Sequence, residues 1–226
     1  RLSESEKELG KLIKKLNIPF LTTWNAMDLE PYENKLNIGS PGVVARRSSN
    51  ISIQLSDLII SIGSSLNKVI TAFDEKNFGR NAKKIIVDVD KSQLNKINIP
   101  RSKKIHCDAK VFIKKLLNIK KPIKPKKEWI SECYKLKKAF EDEMLLKKKK
   151  SKTLNHYQIV DKLSKILKEN QIISTGSSGL GIEIFYTFFK NKKFQRVFLT
   201  SGLGSMGYGI PSSIGTCIAN KKKKQF

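Results

Sequence analysis

Two nearly continuous apolar runs limit the possible folds of this chain more than any other feature. Leu58-Ile59-Ile60-Ser61-Ile62 stops at Gly63, and Lys84-Ile85-Ile86-Val87-Asp88-Val89-Asp90 holds the second. Strict alternation would mark a half-solvated sheet, whereas continuous β-branched runs mark strands covered on both faces. Helical patterns flank them. Leu9, Leu12, Ile13 and Leu16 recur at helical spacing within residues 3–16, and helices are also expected over 43–54 and 108–117. Ile18-Pro19-Phe20-Leu21-Thr22 reads as a short strand and Ile105 to Cys107 as another. The stretch 25–42 is rich in turn formers, among them Asn25, Pro31, Asn34, Gly39 and Pro41-Gly42. Strands alternating with helices predict a parallel sheet.

Composition then shifts. Lys120-Lys121-Pro122-Ile123-Lys124-Pro125-Lys126-Lys127 cannot continue a helix. Residues 128–146 are again helical in pattern, with Trp129, Cys133, Leu136, Phe140 and Met144 on one stripe, and 147–152 is a solvated end. An amphipathic helix with Leu154, Tyr157, Val160, Leu163 and Leu167 opens a second unit. The strand Ile172-Ile173-Ser174-Thr175 then meets Gly176-Ser177-Ser178-Gly179. A helix over 180–189 and a strand at 196–200 complete a βαβ unit, and a helix of small residues is expected from Pro211 to Ala219. The expected fold class is α/β, with two parallel-sheet Rossmann-like units of which the second is truncated. The expected boundaries are 1–118 for the first unit, 119–150 for a basic linker and connector helix, and 151–226 for the second. The chain opens on Arg1 and stops as a third strand begins at Lys224-Gln225-Phe226, so a fragment of a longer protein is expected.

The 226 residues, 39% of them hydrophobic, can bury a core without a metal or disulfide staple. No stretch approaches the roughly 20 consecutive apolar residues of a membrane span. Three cysteines at wide, irregular spacing (Cys107, Cys133, Cys217) suit neither a disulfide framework nor a zinc site, and point to a reducing cytoplasm. His106 and His156 lack partners at metal spacing and read as surface or helix-start residues. Trp24, Trp129 and the cysteines read as core or interface. A formal charge of +25 would attract polyanions. The excess is nearly all scattered Lys, however, whereas a base-reading surface favours Arg and interleaved aromatics. Nucleic acid is therefore not the expected partner, and solvated helix faces account for the charge.

The chemistry is concentrated in Thr200-Ser201-Gly202-Leu203-Gly204-Ser205-Met206-Gly207-Tyr208-Gly209, four glycines directly after a buried strand. Ligands bind at the carboxyl ends of parallel strands, and glycine lets the backbone approach them. The residue types alone fit a ligand loop and a tight strand-to-helix connection equally. Met206 among the glycines is either core filler or a prop against a ligand.

Residues 200–215 resemble a stretch of the pyrophosphate-binding domain of acetolactate synthases and related thiamine diphosphate enzymes. That stretch reads Ser-Gly-Gly-Leu-Gly-(Ser/Thr)-Met-Gly-(Phe/Tyr)-Gly-Leu-Pro-Ala, with Thr200-Ser201 here as a small departure. Residues 1–115 resemble the same family's central domain. The similarity there is carried by Pro19-Phe20-Leu21-Thr22-Thr23, Ile38-Gly39-Ser40-Pro41-Gly42, Asp57 to Gly63, and Asp88-Val89-Asp90. The resemblance implies a thiamine-diphosphate-dependent carboligase or decarboxylase acting on 2-oxo acids, a homo-oligomer (dimer or tetramer) with its active site between subunits.

The resemblance also implies a cofactor-binding set of Gly202, Leu203, Gly204, Ser205, Met206, Gly176, Ser177 and Ser178. Met206 would hold the cofactor rings in the V conformation, and its N–H would donate to the aminopyrimidine. The Gly204 carbonyl would accept from the 4′-amino group. Synthases proper have Gln and His near Ser177 and Ser178, which puts the substrate in doubt. No catalytic or metal-ligating residue is assigned. The activating Glu is expected upstream, and the Mg²⁺ motif is expected beyond Phe226. FAD is not expected, because Ser64-Ser65-Leu66-Asn67-Lys68 lacks both arginines of the flavin-binding segment. Asp88 and Asp90 read as polar strand ends rather than ribose contacts. A non-catalytic binding or assembly module is the alternative, and a basic nucleic-acid-binding protein is a third.

Overall fold

The computed structural model describes residues 2–120, 125–141, 153–176, 179–200 and 202–220. Its first sheet has three parallel strands in the order β1 (Leu58–Ile62), β2 (Lys83–Asp88) and β3 (Ser102–His106). Four helices belong to this unit: α1 (Glu6–Leu16), α2 (Arg47–Leu55), α3 (Lys91–Lys96) and α4 (Ala109–Leu117). Side chains alternate along a strand, so one strand can serve two cores. Ile62 joins Leu12 and Leu16 of α1 and Ile113 of α4 in one cluster. Ile59 and Ile86 join Ile53 of α2, Leu94 of α3, Ile70 and Phe78 in another. The two apolar runs therefore owe their continuity to helices on both faces. At the strand ends, Asp88 accepts from the Asp90 N–H, and Asp90 caps α3 by accepting from Ser92 and Gln93.

Two local expectations need correction. Residues 18–22 form no strand of this sheet. Phe20 makes a single bridge to Asn37, and the Thr22 N–H goes to Gly39 O. Pro19 has no N–H to extend a ladder. The helix expected from Val43 begins only at Arg47. The Asn50 side chain holds both backbone groups of Gly42, at 3.0 and 2.9 Å, and the Val43 N–H is taken by Val69 O.

Helix α5 (Lys127–Glu141) packs against α2. Cys133 is fully buried on that contact, as the stripe predicted, with Leu136 and Phe140 half-buried. Lys137 and Glu141, which the apolar pattern passed over, are buried one and two turns further along. Met144 and the lysines of 147–150 and 221–224 lie outside the described residues.

The second unit comprises α6 (His156–Ile166), β4 (Ile172–Ser174), α7 (Gly179–Phe188), β5 (Arg196–Phe198) and α8 (Gly209–Ala219). Asn155 and Gln158 form a reciprocal capping box that fixes the start of α6. Strands β4 and β5 are parallel, with Ile173 opposite Val197. Both enter a core with Val160, Leu167, Ile184, Phe185, Phe188 and Phe189.

That core also contains Met27, from the first unit. The segment around it reaches across at several points. Trp24 stacks on Tyr186, with centroids 4.8 Å apart and planes 7° from parallel. The Asp28 carboxylate accepts from Arg196 Nη1 at 2.7 Å and from the Val197 N–H at 2.8 Å. Asn191 donates to Glu30 O and accepts from the Tyr32 N–H. Arg196 N–H and Phe198 O face β4, so Val197 N–H points outward, and Asp28 occupies the outer edge of β5 there.

Candidate functional site

The carboxyl ends of β4 and β5 lie side by side and carry the small-residue segments. After β4 come Thr175 and Gly176. After β5 the chain runs through Gly202, Leu203, Gly204, Ser205, Met206 and Gly207 into α8. Gly204 and Gly207 have φ of +59° and +76°, the left-handed region that other residues avoid, and open space surrounds both. Gly209 serves a different purpose. A Cβ there would lie 3.0 Å from Gly176 Cα, so glycine lets the start of α8 press onto the end of β4. The Ser174 hydroxyl donates to Ser212 Oγ at 2.8 Å and ties the same two elements. Pro211 sits in the first turn of α8, where its missing N–H leaves no helical bond unmade.

The loop therefore brings Gly202, Leu203, Gly204, Ser205 and Met206 together in the open, with Gly176 beside its far end. Ser177 and Ser178 lie outside the described residues. Met206 is 95% exposed and Leu203 93%, which removes the core-filler reading of Met206. Among the described residues, neither the Gly204 carbonyl nor the Met206 N–H has a backbone hydrogen-bond partner. The apolar exposure continues along α8 through Ile210, Ile214 and Ile218 at helical spacing, with Cys217 also exposed. Cys217 is thus not a core residue here. Cys107 is half-buried, and His106, exposed, contacts Val89 O through Nε2. His156 is the first residue of α6.

At the end of β4 lie two polar groups that the sequence patterns did not single out. The Tyr186 hydroxyl, on α7, faces the Thr175 hydroxyl, and burial pushes its pKa well above the ordinary value. Both oxygens are buried, and neither makes an aligned hydrogen bond among the described residues. Tyr186 lies in an apolar run where the sequence pattern predicts only a helix over 180–189. No group of three or more His, Cys, Asp or Glu side chains among the described residues could hold a metal ion. No described helix is long and apolar enough to cross a membrane.

A second polar cluster surrounds α5. Lys137 Nζ donates to Tyr32 O at 2.6 Å and lies 4.0 Å from the Tyr32 ring centroid. Burial lowers its pKa to about 8, against the favourable charge of Glu141. Burial would raise Glu141, but hydrogen bonds from Lys138 (2.6 Å) and Lys190 (3.0 Å) outweigh it and hold the carboxyl at about 2. The cluster fastens the connector helix to both units.

Residues 1–116 match the family described as thiamine pyrophosphate enzyme, central domain. The chain is also similar to the probable acetolactate synthase large subunits of Methanococcus aeolicus and Methanocaldococcus jannaschii, each at 30% identity. Those matches cover 99% and 96% of this chain, and 39% and 37% of the relatives. Acetolactate synthase isozyme 1 large subunit of Escherichia coli is 29% identical over 95% of this chain and 37% of its own length. The chain thus spans less than two fifths of the length of these relatives.

Proposed function

Because this chain belongs to the thiamine pyrophosphate enzyme family, we propose that it is part of an acetolactate-synthase-like carboligase or decarboxylase acting on 2-oxo acids. The observation that carries the reading is the loop after β5. It presents Met206 to open space on a backbone whose Gly204 carbonyl and Met206 N–H are unclaimed among the described residues. The relatives that match nearly the whole chain, loop included, bear the acetolactate synthase name.

The residues fit the cofactor in chemistry and in space. Gly202, Gly204 and Gly207 leave room for a ring system, since a Cβ at any of them would meet nothing within 4 Å. Bound there, thiamine diphosphate would supply nucleophilic carbon chemistry toward a 2-oxo carbonyl and a sink for the charge left by decarboxylation. In this reading Met206 would prop the rings, its N–H would donate to the aminopyrimidine, and the Gly204 carbonyl would accept a hydrogen bond from the 4′-amino group. Leu203 and Ser205 would belong to the same cofactor-binding set, as would Gly176, Ser177 and Ser178 toward the diphosphate. Mg²⁺ and the proton-relaying Glu are supplied from outside these residues.

The reading divides the chain into a central domain (1–118), a linker with connector helix (119–150) and the start of the cofactor domain (151–226), working in the cytoplasm. It also pairs the protein with a second copy of itself. The apolar row of Leu203, Met206, Ile210, Ile214 and Ile218 supports that pairing, because a site at a subunit interface leaves such a row exposed in one chain alone. A non-catalytic module is the second reading, favoured by Ser177 and Ser178 standing where the synthases have Gln and His.

The test is to supply the complete protein with pyruvate, thiamine diphosphate and Mg²⁺ and follow 2-oxo acid consumption. Cofactor-dependent turnover that Met206→Ala lowers supports the enzyme. Cofactor binding without turnover on any 2-oxo acid supports the module. No cofactor binding at all overturns both.

A further inference from the structure

The strand that launches the glycine loop is held on its outer edge by a residue from the first unit. The Asp28 side chain is only 1% exposed, and a carboxylate that deep is costly unless its partners are fixed. Its Oδ2 accepts from the Val197 N–H at 2.8 Å and from Arg196 Nη1 at 2.7 Å. The Arg196 guanidinium in turn lies over the Phe198 ring, 4.8 Å from its centroid. One carboxylate thus bears on all of β5, on Arg196 and Val197 directly and on Phe198 through Arg196. Phe198 also ties β5 to β4, because its carbonyl accepts from the Thr175 N–H at 3.0 Å. Asp28 is itself anchored, since its neighbour Met27 enters the same core as Val197. The loop that follows has little packing of its own. Open space surrounds Gly202, Gly204 and Gly207, and the Leu203 and Met206 side chains are exposed. Its position is therefore set by β5 at one end and by the start of α8 at the other.

We propose that Asp28 is a positioning residue for the cofactor, one that fixes the outer edge of β5 and thereby sets where Gly204 and Met206 stand. The proposal rests on the thiamine diphosphate reading above. It assigns to the first unit a part in cofactor affinity that needs no contact with the cofactor. Loss of the carboxylate leaves the Val197 N–H without this acceptor and releases Arg196 from its place over Phe198. The launching end of the loop then relaxes, while the α8 end stays held by Ser174–Ser212 and the Gly209 contact. Asparagine at position 28 keeps an acceptor for Val197 at the same reach.

The complete protein with Mg²⁺ is titrated with thiamine diphosphate by calorimetry, and hydrogen exchange of residues 202–208 is followed without cofactor. The variants are Asp28→Ala, Asp28→Asn, Arg196→Met and Leu94→Ala. The last opens the core of the first unit away from β5 and controls for lost stability alone. Thermal unfolding is recorded for each. Asp28→Ala is expected to weaken binding about tenfold, the lower end of what orienting groups contribute at metal sites, and to speed exchange in 202–208. Asp28→Asn restores most of both. Leu94→Ala lowers the unfolding temperature and leaves both readouts unchanged. Asp28→Ala that binds and exchanges like the unaltered protein overturns the proposal. So do losses shared by Leu94→Ala in proportion to unfolding temperature, which is the pattern of general destabilisation. If Asp28→Ala yields no folded protein, Arg196→Met decides, because it removes the contact over Phe198 and keeps the Val197 bond. Weaker binding with faster exchange then supports the proposal, and no change in either overturns it. If the unaltered protein binds no cofactor, the functional reading fails and takes the cofactor role with it, while exchange alone still reports whether Asp28 sets the loop.

Discussion

Lys137 gives the sharpest test of the electrostatics that join the connector helix to the rest of the chain. Its side chain is buried, and its ammonium donates to Tyr32 O and Asn34 O over the Tyr32 ring. Burial lowers the pKa from an ordinary 10.5 to about 8. Arg46, Lys138 and Lys190 add to that lowering, while Glu141 opposes it. Between those two values the folded chain holds fewer protons at this site than the unfolded chain, so stability must rise with pH across the window. Below pH 8 both states are charged and the folded one carries the desolvation cost in full. From pH 7 to 9.5 the site should recover about 2 kcal/mol, the part of the linkage integral that falls within that interval. Other lysines titrate at the upper end, so the quantity to follow is the difference between the chain and its Lys137→Met variant, by urea unfolding at both pH values. Met fills a similar volume and cannot titrate. The unaltered chain should gain about 2 kcal/mol on the variant between pH 7 and 9.5. Parallel stabilities across that interval would refute the argument, because they would mean that the ammonium is solvated in the folded chain.

Other outcomes follow from the same geometry. Asp28→Ala removes the acceptor of both Arg196 and the Val197 N–H, and should cost about 2–4 kcal/mol in urea unfolding, at the lower end because Arg196 is partly solvated. Asp28→Asn, which keeps an acceptor for Val197, should cost less, and equal costs would remove the edge-capping role. Glu141, with its pKa held at about 2, contributes stability that is complete above pH 4.5 and fades as pH falls through 2. Glu141→Gln should flatten that acid limb by on the order of 1 kcal/mol, allowing for solvent around Lys138. If the exposed α8 row faces a second copy of the protein, Ile214→Lys in the complete protein should shift it to monomer in light scattering, and an unchanged mass would remove the row from the interface. The 226 residues alone should bind thiamine diphosphate weakly or not at all, and saturable micromolar binding with Mg²⁺ would show that they hold more of the site than proposed.

The parallel sheet was legible because Leu58 to Ile62 and Lys84 to Val87 carry burial on both faces, which only helices on each side can satisfy. The glycine loop was legible for a related reason, since positive φ at Gly204 and Gly207 admits little else. Segments held by side chain to backbone bonds were not legible. The delayed start of α2 depends on Asn50 reaching back to Gly42, and the isolated bridge at Phe20 depends on a loop partner seventeen residues on. Periodicity records which face is apolar and says nothing of such reaches. It also misjudged α5, where the buried positions after Cys133 are Lys137 and Glu141. Charged residues at core spacing read as solvated until their partners from Tyr32 and Lys190 are seen.

Tyr32 is one part of a wider set of contacts. Tyr32 lies in the same segment as Trp24, Met27, Asp28 and Glu30, and every one of these reaches the second unit or the connector helix. Met27 enters the second core, Trp24 stacks on Tyr186, Asp28 takes the edge of β5, and the Glu30 carbonyl accepts from Asn191. Residues 24–32 belong to the first unit in chain order but behave as part of the scaffold under β4 and β5. Displacing this segment would therefore disturb both strand ends at once. Trp24→Ala and Asp28→Ala should then act on the same element from two sides. Their combined effect on cofactor affinity should fall short of the sum, whereas independent anchors would add. The deciding measurement is a double-mutant cycle on the complete protein. Simple additivity there would mean that the segment is a set of separate contacts and not one docking unit.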